Sequence, residues 1–297
     1  MEKSSVIGVV GLGNMGSLLA ANLVGTGFDV LANDAMGSAE RAPAGSTPVE
    51  SLDDVIRGAT TVVLSLPNAD ASRAVCGAIL SVPEDQRRVE TVIDTSTIGV
   101  SAAREIATAL GEAGITYFDA PVSGGLAGAR ARTLMVMFSG PPETSAEFDR
   151  VVAGLSDRYR RVGDVVGLAQ ALKLANNYLS AVALIATSEA VAFGVSAGLD
   201  MSTMVAVLNE SSGQSSATAD KFPKHVVTET YSAGFTSTLM DKDLKLYVSE
   251  VANRGERDVL GTVVASIWNR FASSEPGVDF TRIYPFLLEA PGTGTTR

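Results

Sequence analysis

A doubly wound parallel α/β sheet followed by an all-α C-terminal domain is the fold class this sequence predicts, and three observations predict it. Short apolar runs alternate with helix-patterned stretches through the first half of the 297 residues, the pattern of strands joined by crossover helices. From Gly167 onward the pattern is helical almost to the end. A glycine-rich turn, Gly11 to Gly16, links the first apolar run to the first helical one.

The strand-like runs are SVIGVVG at Ser5 to Gly11, FDVLAND at Phe28 to Asp34, TTVVLSLP at Thr60 to Pro67, TVIDTST at Thr91 to Thr97 and TYFDAP at Thr116 to Pro121. Their near-continuous apolar character is that of strands covered on both faces, as in parallel sheets. TLMVMFSG at Thr133 to Gly140 and YRRVG at Tyr159 to Gly163 add two more, after which the strands stop. A long helix is predicted from Leu168 to about Ser196, and GLDMSTMVAVLNES reads as a helix capped by Asp200 or Ser202. Further helices fall within Ala217 to Val227, Asp241 to Arg254 and Leu260 to Ser273. The change of pattern divides the chain into an α/β domain over 1–165, a helical domain over 166–290 and a mobile tail over 291–297, where there is little to pack. No internal repeat is visible.

Composition narrows the function classes. With 46% hydrophobic and 19% charged residues the chain is ordinary globular material. A formal charge of -10 leaves no basic field for a polyphosphate backbone or an anionic bilayer, so neither nucleic acid nor membrane is an expected partner, whereas a small ligand is. Cys76 stands alone and cannot form an internal disulfide, which fits a reducing compartment. With no charged segment and apolar stretch of signal-peptide type opening the chain, a cytoplasmic location is expected. One cysteine and one histidine, His225, do not make a His/Cys metal cage, and no metal is expected. The most apolar segment, Leu179 to Gly198, is interrupted by Ser180, Thr187, Ser188 and Glu189 and lacks interfacial anchors, so it reads as a helix buried between domains or subunits rather than a membrane span. Its hydrophobicity on more than one side predicts a homodimer or homotetramer. Trp268 and Phe271 read as core or interface residues.

Gly11-Leu12-Gly13-Asn14-Met15-Gly16 follows a strand and opens a helix, which is the setting a Rossmann-type dinucleotide fingerprint requires. The first glycine permits the tight turn, the second lets the backbone approach a pyrophosphate, and the third lets helix and strand pack closely. Free N–H groups and the helix dipole then favour the anion. Alone the motif is weak, and the second strand strengthens it. Asp34 closes that strand 18 positions after Gly16, where a carboxylate accepts both adenosine ribose hydroxyls and repels a 2'-phosphate. Ala35, rather than an arginine, follows it, so NAD is favoured over NADP, although Arg41 nearby leaves NADP open as a lesser cofactor. Leu66, Pro67 and Asn68, and also Thr97, lie where strands end, which is where open α/β sheets bind ligands, and are further candidate cofactor contacts.

Three more stretches, DAPVSGG at Asp119 to Gly125, KLANN at Lys173 to Asn177 and DKDL at Asp241 to Leu244, appear in that order behind the glycine turn. Together the four motifs resemble the β-hydroxyacid dehydrogenases, the group that includes 3-hydroxyisobutyrate dehydrogenase and tartronate semialdehyde reductase, over almost the whole chain. The resemblance implies that Lys173 is the general acid/base, that Ser123, Gly124 and Gly125 hold the substrate carboxylate, that Asn177 orients the substrate, and that Lys242 and Asp243 meet the cofactor from the helical domain. The chemistry is apt. Removing hydride from an alcohol carbon leaves a hydroxyl proton for a tuned base, burial against apolar walls lowers a lysine toward that role, and i to i+4 spacing puts Asn177 on the same helix face as Lys173. Two positions depart from the family. Ala169 stands where the family has the second glycine of Gly-x-Gly, and Arg132 stands where it has a glycine; Arg132 is either a second-anion contact or a surface residue. Imine reductases and larger phosphosugar acid dehydrogenases share the design, but the first generally lack the lysine and the second need a basic cluster not seen here. A catalytically silent NAD-binding scaffold is the alternative outside the enzymes, and silent relatives tend to lose the lysine.

Overall fold

The computed structural model describes residues 5–289, so the tail at 291–297 lies outside the described residues. Two compact units emerge, 1–173 and 174–297.

The first unit is built on nine strands: β1 (Val6–Val10), β2 (Asp29–Asn33), β3 (Thr47–Pro48), β4 (Thr61–Leu64), β5 (Thr91–Asp94), β6 (Thr116–Asp119), β7 (Val122–Ser123), β8 (Met135–Ser139) and β9 (Arg158–Gly163). They form one sheet in the order β3-β2-β1-β4-β5-β6-β8-β7, with β9 paired to β8. β3 through β6 run parallel, and β8 is antiparallel to β6 and β7. Every run read as a strand is one. The two additions, β3 and β7, are two residues each, too short for any periodicity to show.

Register aligns the strand ends. Val10 pairs with Asn33 and Leu64, Leu64 with Asp94, and Asp94 with Asp119. The glycine turn after β1 and the loops after β4, β5 and β6 therefore leave the sheet along one edge.

Helices cover both faces. α1 (Gly16–Gly25), α5 (Gly125–Arg130) and α6 (Ala146–Leu155) lie over one core of Ile7, Val9, Leu19, Phe118 and Phe148. α2 (Leu52–Gly58), α3 (Ala69–Ser81) and α4 (Val100–Glu112) lie over another, formed by Val55, Ile79, Val92, Ile106 and Cys76. Alternation along β4 shows the division, since Val62 and Leu64 enter the second core and Val63 the first. Each such fully buried side chain contributes about 1.5–3 kcal/mol relative to exposure.

α7 (Leu168–Ser196) opens in the first unit and continues into the second, where it is joined by α8 (Met201–Asn209), α9 (Ser237–Asn253), α10 (Gly261–Ser274) and α11 (Ile283–Leu288). Asp200 caps α8 by accepting from Thr203 N at 2.8 Å. Ala217–Val226 winds as a wide π-helix carrying Pro223, which has no N–H to give to an α-helical ladder. Trp268 and Phe271 are fully buried with Phe222, Phe280 and Ile283 in this unit's core. Among the described residues, α7 is the one helix long and apolar enough to cross a bilayer, with mean hydropathy 1.6.

The division falls inside α7, later than the boundary at 165 that the change of pattern predicts. The cause is chemical: the first turn of α7 is tied to the sheet.

Candidate active site

The glycine turn takes the form its sequence requires. Gly11 has φ +93° and donates its N–H to Asn33 O at 2.9 Å. A Cβ on Gly11 would lie 2.3 Å from Ser65 O, and one on Gly16 would lie 1.9 Å from Gly11 O. Those two glycines serve the fold. Gly13 differs: it is exposed, and nothing lies within 4 Å of where its Cβ would be. Asn14 is exposed beside it, and α1 begins without a side-chain cap or an acidic residue in its first turn. An open turn at an uncapped helix N-terminus fits a dinucleotide pyrophosphate, which Gly13, Asn14 and Met15 would hold with their backbone.

Asp34 is placed at that turn. Its Oδ2 accepts from Leu12 N at 2.6 Å and its Oδ1 from Met36 N at 2.8 Å. Each oxygen keeps a lone pair for a ribose hydroxyl. Arg41 Nε stands 3.9 Å from Oδ1, so the basic residue noticed in the sequence does reach the acidic one.

Leu66 donates its N–H to Ser96 Oγ at 2.8 Å, and Ser96 in turn donates its N–H to Asp94 Oδ1 at 2.9 Å. These bonds fix the loops after β4 and β5, which carry Leu66, exposed Pro67 and half-buried Thr97. Asn68 has a local task as well, since its Oδ1 caps α3 at Ala71 N. Asp94 is fully buried and also accepts from Tyr117 Oη at 3.2 Å. Burial holds its carboxyl above the ordinary value despite those bonds.

Ser123 ends β7, and Gly124 and Gly125 follow with φ +134° and +66°. Two consecutive positive-φ residues bend the chain sharply there, and only glycine adopts this without strain.

Lys173 lies in the second turn of α7 and is 6% exposed. The start of that helix is unusually well anchored. Asp119, at the end of β6, accepts from Gly167 N (3.0 Å) through Oδ1 and from Gln170 N (2.9 Å) through Oδ2, while Ser139 Oγ accepts from Ala169 N (2.9 Å) and donates to Asp119 Oδ1 (2.6 Å). Donors left open at a helix start are thus met by side chains of the sheet. Burial raises the Asp119 carboxyl, against the lowering effect of these bonds. The departure at Ala169 is explained here. Gly167 needs φ +94°, and a Cβ on it would lie 2.7 Å from Val100 Cγ1, whereas Ala169 is already within regular helix.

In the second unit Asn177, 6% exposed, donates from Nδ2 to Asp243 Oδ2 at 2.6 Å and accepts from Asn176 Nδ2 at 3.1 Å. Asp243 is 2% exposed, with Lys242 Nζ 3.2 Å from its Oδ1. Asp243, a cofactor contact in the motif reading, holds the Asn177 amide with its carboxylate. Arg132 is likewise settled: its guanidinium binds Asp157 Oδ1 at 2.8 Å, Gly154 O at 2.8 Å and Ala153 O at 2.9 Å, so it staples α6 instead of meeting a substrate.

Sequence reasoning missed Asp119, Ser139 and Gln170. Asp119 opens the DAPVSGG motif, and a polar residue at a buried helical position was the available signal for Gln170.

A glycine cradle with a carboxylate at the second strand's end, and a buried lysine on a helix tied to the same sheet edge, define a nucleotide-dependent oxidoreductase. Two family models match, the NAD binding domain of 6-phosphogluconate dehydrogenase over residues 6–163 and the NAD-binding part of NADP-dependent 3-hydroxyisobutyrate dehydrogenase over residues 167–287. Human mitochondrial 3-hydroxyisobutyrate dehydrogenase is 32% identical over 95% of this chain and 87% of its own. The 2-(hydroxymethyl)glutarate dehydrogenase of Eubacterium barkeri is 34% identical over 83% and 82%. The structure of Mycobacterium tuberculosis 3-hydroxyisobutyrate dehydrogenase with L-serine superposes with a TM-score of 0.88 at 31% identity, covering 97% of this chain and all of that one. The chain belongs to the β-hydroxyacid dehydrogenase family. It is an NAD(P)-binding oxidoreductase acting on the CH–OH group of a hydroxy acid.

Proposed function

We propose that the chain oxidises the primary alcohol of a 2-substituted 3-hydroxypropionate, or reduces the matching semialdehyde, with NAD preferred to NADP. The three compounds named with its relatives support this class. 3-Hydroxyisobutyrate, L-serine and 2-(hydroxymethyl)glutarate all carry a CH2OH on the carbon that bears the carboxylate, and differ only in the third substituent. Arg132, held by Asp157 and two carbonyls, offers nothing to a second carboxylate, so the smaller members suit this chain better.

Bound nicotinamide would supply the hydride acceptor in oxidation and the donor in reduction. Lys173 Nζ takes the hydroxyl proton as the alcohol is oxidised and returns it in the reverse direction. Ser123, Gly124 and Gly125 receive the carboxylate with a hydroxyl and backbone N–H groups. Asn177, held by Asp243 and Asn176, orients the substrate oxygen with its amide. Asp34 selects NAD by accepting ribose hydroxyls. The observation that carries the reading is the burial of Lys173 on a helix whose first turn is bonded to Asp119 at the end of β6, in register with the strand ends that carry the glycine cradle.

Exposure along α7 and α8, at Leu172 (44%), Leu179 (65%), Phe193 (75%) and Val207 (59%), supports a homodimer or homotetramer. The acidic charge supports a protein with no nucleic acid or anionic membrane partner, and the single cysteine, Cys76, supports a reducing, cytoplasmic location.

Lys173→Ala tests the assignment. With 3-hydroxyisobutyrate, L-serine, 3-hydroxypropionate and 2-(hydroxymethyl)glutarate as a panel, its turnover is expected to fall by about two to four powers of ten, while NADH fluorescence titration gives close to the parent affinity. Turnover equal to the parent would remove Lys173 from its role.

A further inference from the structure

Resting on the role of Lys173 given above, we propose that Gln170 is a positioning residue: a latch that sets the reach of Lys173 by fastening the first turn of α7 to the cofactor-side loop after β5. Gln170 is fully buried, three residues before Lys173 on the same helix. Its Oε1 accepts from Ile98 N at 2.9 Å and Gly99 N at 3.1 Å, and its Nε2 donates to Ser96 O at 2.9 Å. Both ends of one amide are thus taken up by the backbone of a single loop.

That loop is itself held on its other side. Ser96 receives Leu66 N on its hydroxyl and gives its own N–H to Asp94. One continuous chain of bonds therefore runs from the loop after β4, through Ser96 and Gln170, to the helix carrying Lys173, and it passes Thr97, a candidate cofactor contact. Packing alone asks only for a side chain of similar volume here. The amide does more, because a donor and an acceptor are both needed, and in buried surroundings neither partner is replaced by water. A shift of α7 by one ångström at this point moves Lys173 with it, and errors of that size are costly to proton and hydride transfer.

Two substitutions separate latch from filler. Gln170→Leu keeps the volume and removes the bonds. Gln170→Glu keeps the acceptor, and its protonated form also keeps a donor to Ser96 O, whereas its ionised form sets a carboxylate oxygen against that carbonyl. With 3-hydroxyisobutyrate and NAD, Gln170→Leu is expected to lower kcat roughly ten- to hundredfold, leave NADH affinity within about threefold, and enlarge the isotope effect on kcat for substrate deuterated at the CH2OH carbon. For Gln170→Glu, kcat relative to the parent is expected to fall as pH rises, a limb absent from both the parent and Gln170→Leu. Independently of turnover, hydrogen exchange at the Ile98 and Gly99 amides should quicken in Gln170→Leu.

A folded Gln170→Leu with parent kcat, isotope effect and exchange rates overturns the latch, as does a flat pH ratio for Gln170→Glu. Failure of both variants to fold assigns Gln170 to the core alone and overturns it equally. Lys173→Ala run in parallel keeps the two readings apart. Loss of turnover there with parent-like Gln170→Leu sinks only the latch, and retained turnover in Lys173→Ala sinks the acid/base role instead.

Discussion

Asp243 Oδ2 accepts a 2.6 Å hydrogen bond from Asn177 Nδ2, joining the DKDL motif to the KLANN motif inside the helical unit. Asp243 is 2% exposed and Lys242 Nζ flanks its other oxygen at 3.2 Å. The carboxylate therefore fixes which way the Asn177 amide faces. A hydrogen bond to a charged group contributes about 1.5–3 kcal/mol.

From that pairing, Asp243→Ala is expected to raise KM for the hydroxy acid about tenfold, the effect of ~1.4 kcal/mol, while KM for NAD changes little. Asp243→Asn, which keeps an acceptor for Asn177, should recover most of the loss. Steady-state kinetics with each substrate varied in turn decides it. A rise confined to KM for NAD would return Asp243 to the cofactor-contact role read from its motif.

Cofactor choice rests on Asp34. Because its oxygens also accept from Leu12 N and Met36 N, removing the side chain altogether would loosen the glycine turn as well as change selectivity. Asp34→Asn preserves one acceptor, lifts the repulsion toward a 2'-phosphate, and releases Arg41, now 3.9 Å from the carboxylate. The ratio of kcat/KM for NADP to that for NAD should rise at least about tenfold in Asp34→Asn, equivalent to ~1.4 kcal/mol, and further when Ala35→Arg is added. Parent enzyme already preferring NADP would show that Arg41, not Asp34, governs this end of the site.

What the sequence made legible follows from range. Strands such as Val6–Val10 and Thr61–Leu64 are runs of adjacent apolar residues, and the glycine turn is six adjacent positions, so each reads locally. Asp34 could be placed because its distance from the turn is a property of one βαβ unit. The anchoring of α7 could not. Asp119 reaches Gly167 across 48 positions and Gln170 reaches Ile98 across 72, and nothing in either neighbourhood announces the partner. Asp243 was visible as a motif member, whereas its bond to Asn177, 66 positions away, was not.

Arg132 offers a last case, where an unusual residue and an unusual backbone explain each other. Its φ is +57°, a left-handed conformation that accounts for the glycine its family carries at this position. Holding a non-glycine residue there costs on the order of 1–3 kcal/mol. The guanidinium offsets that cost through Asp157 and the carbonyls of Ala153 and Gly154, in a side chain only 26% exposed. Arg132→Ala keeps the strain and loses the bonds, so it is expected to destabilise the protein by about 1–3 kcal/mol. Arg132→Gly loses the same bonds but relieves the backbone, and should fall between Arg132→Ala and the parent. Urea unfolding of the three proteins gives the order. Turnover of 2-(hydroxymethyl)glutarate relative to 3-hydroxyisobutyrate should be the same in all three, because the guanidinium is committed to α6; a selective loss of the diacid in either variant would place Arg132 at the substrate after all.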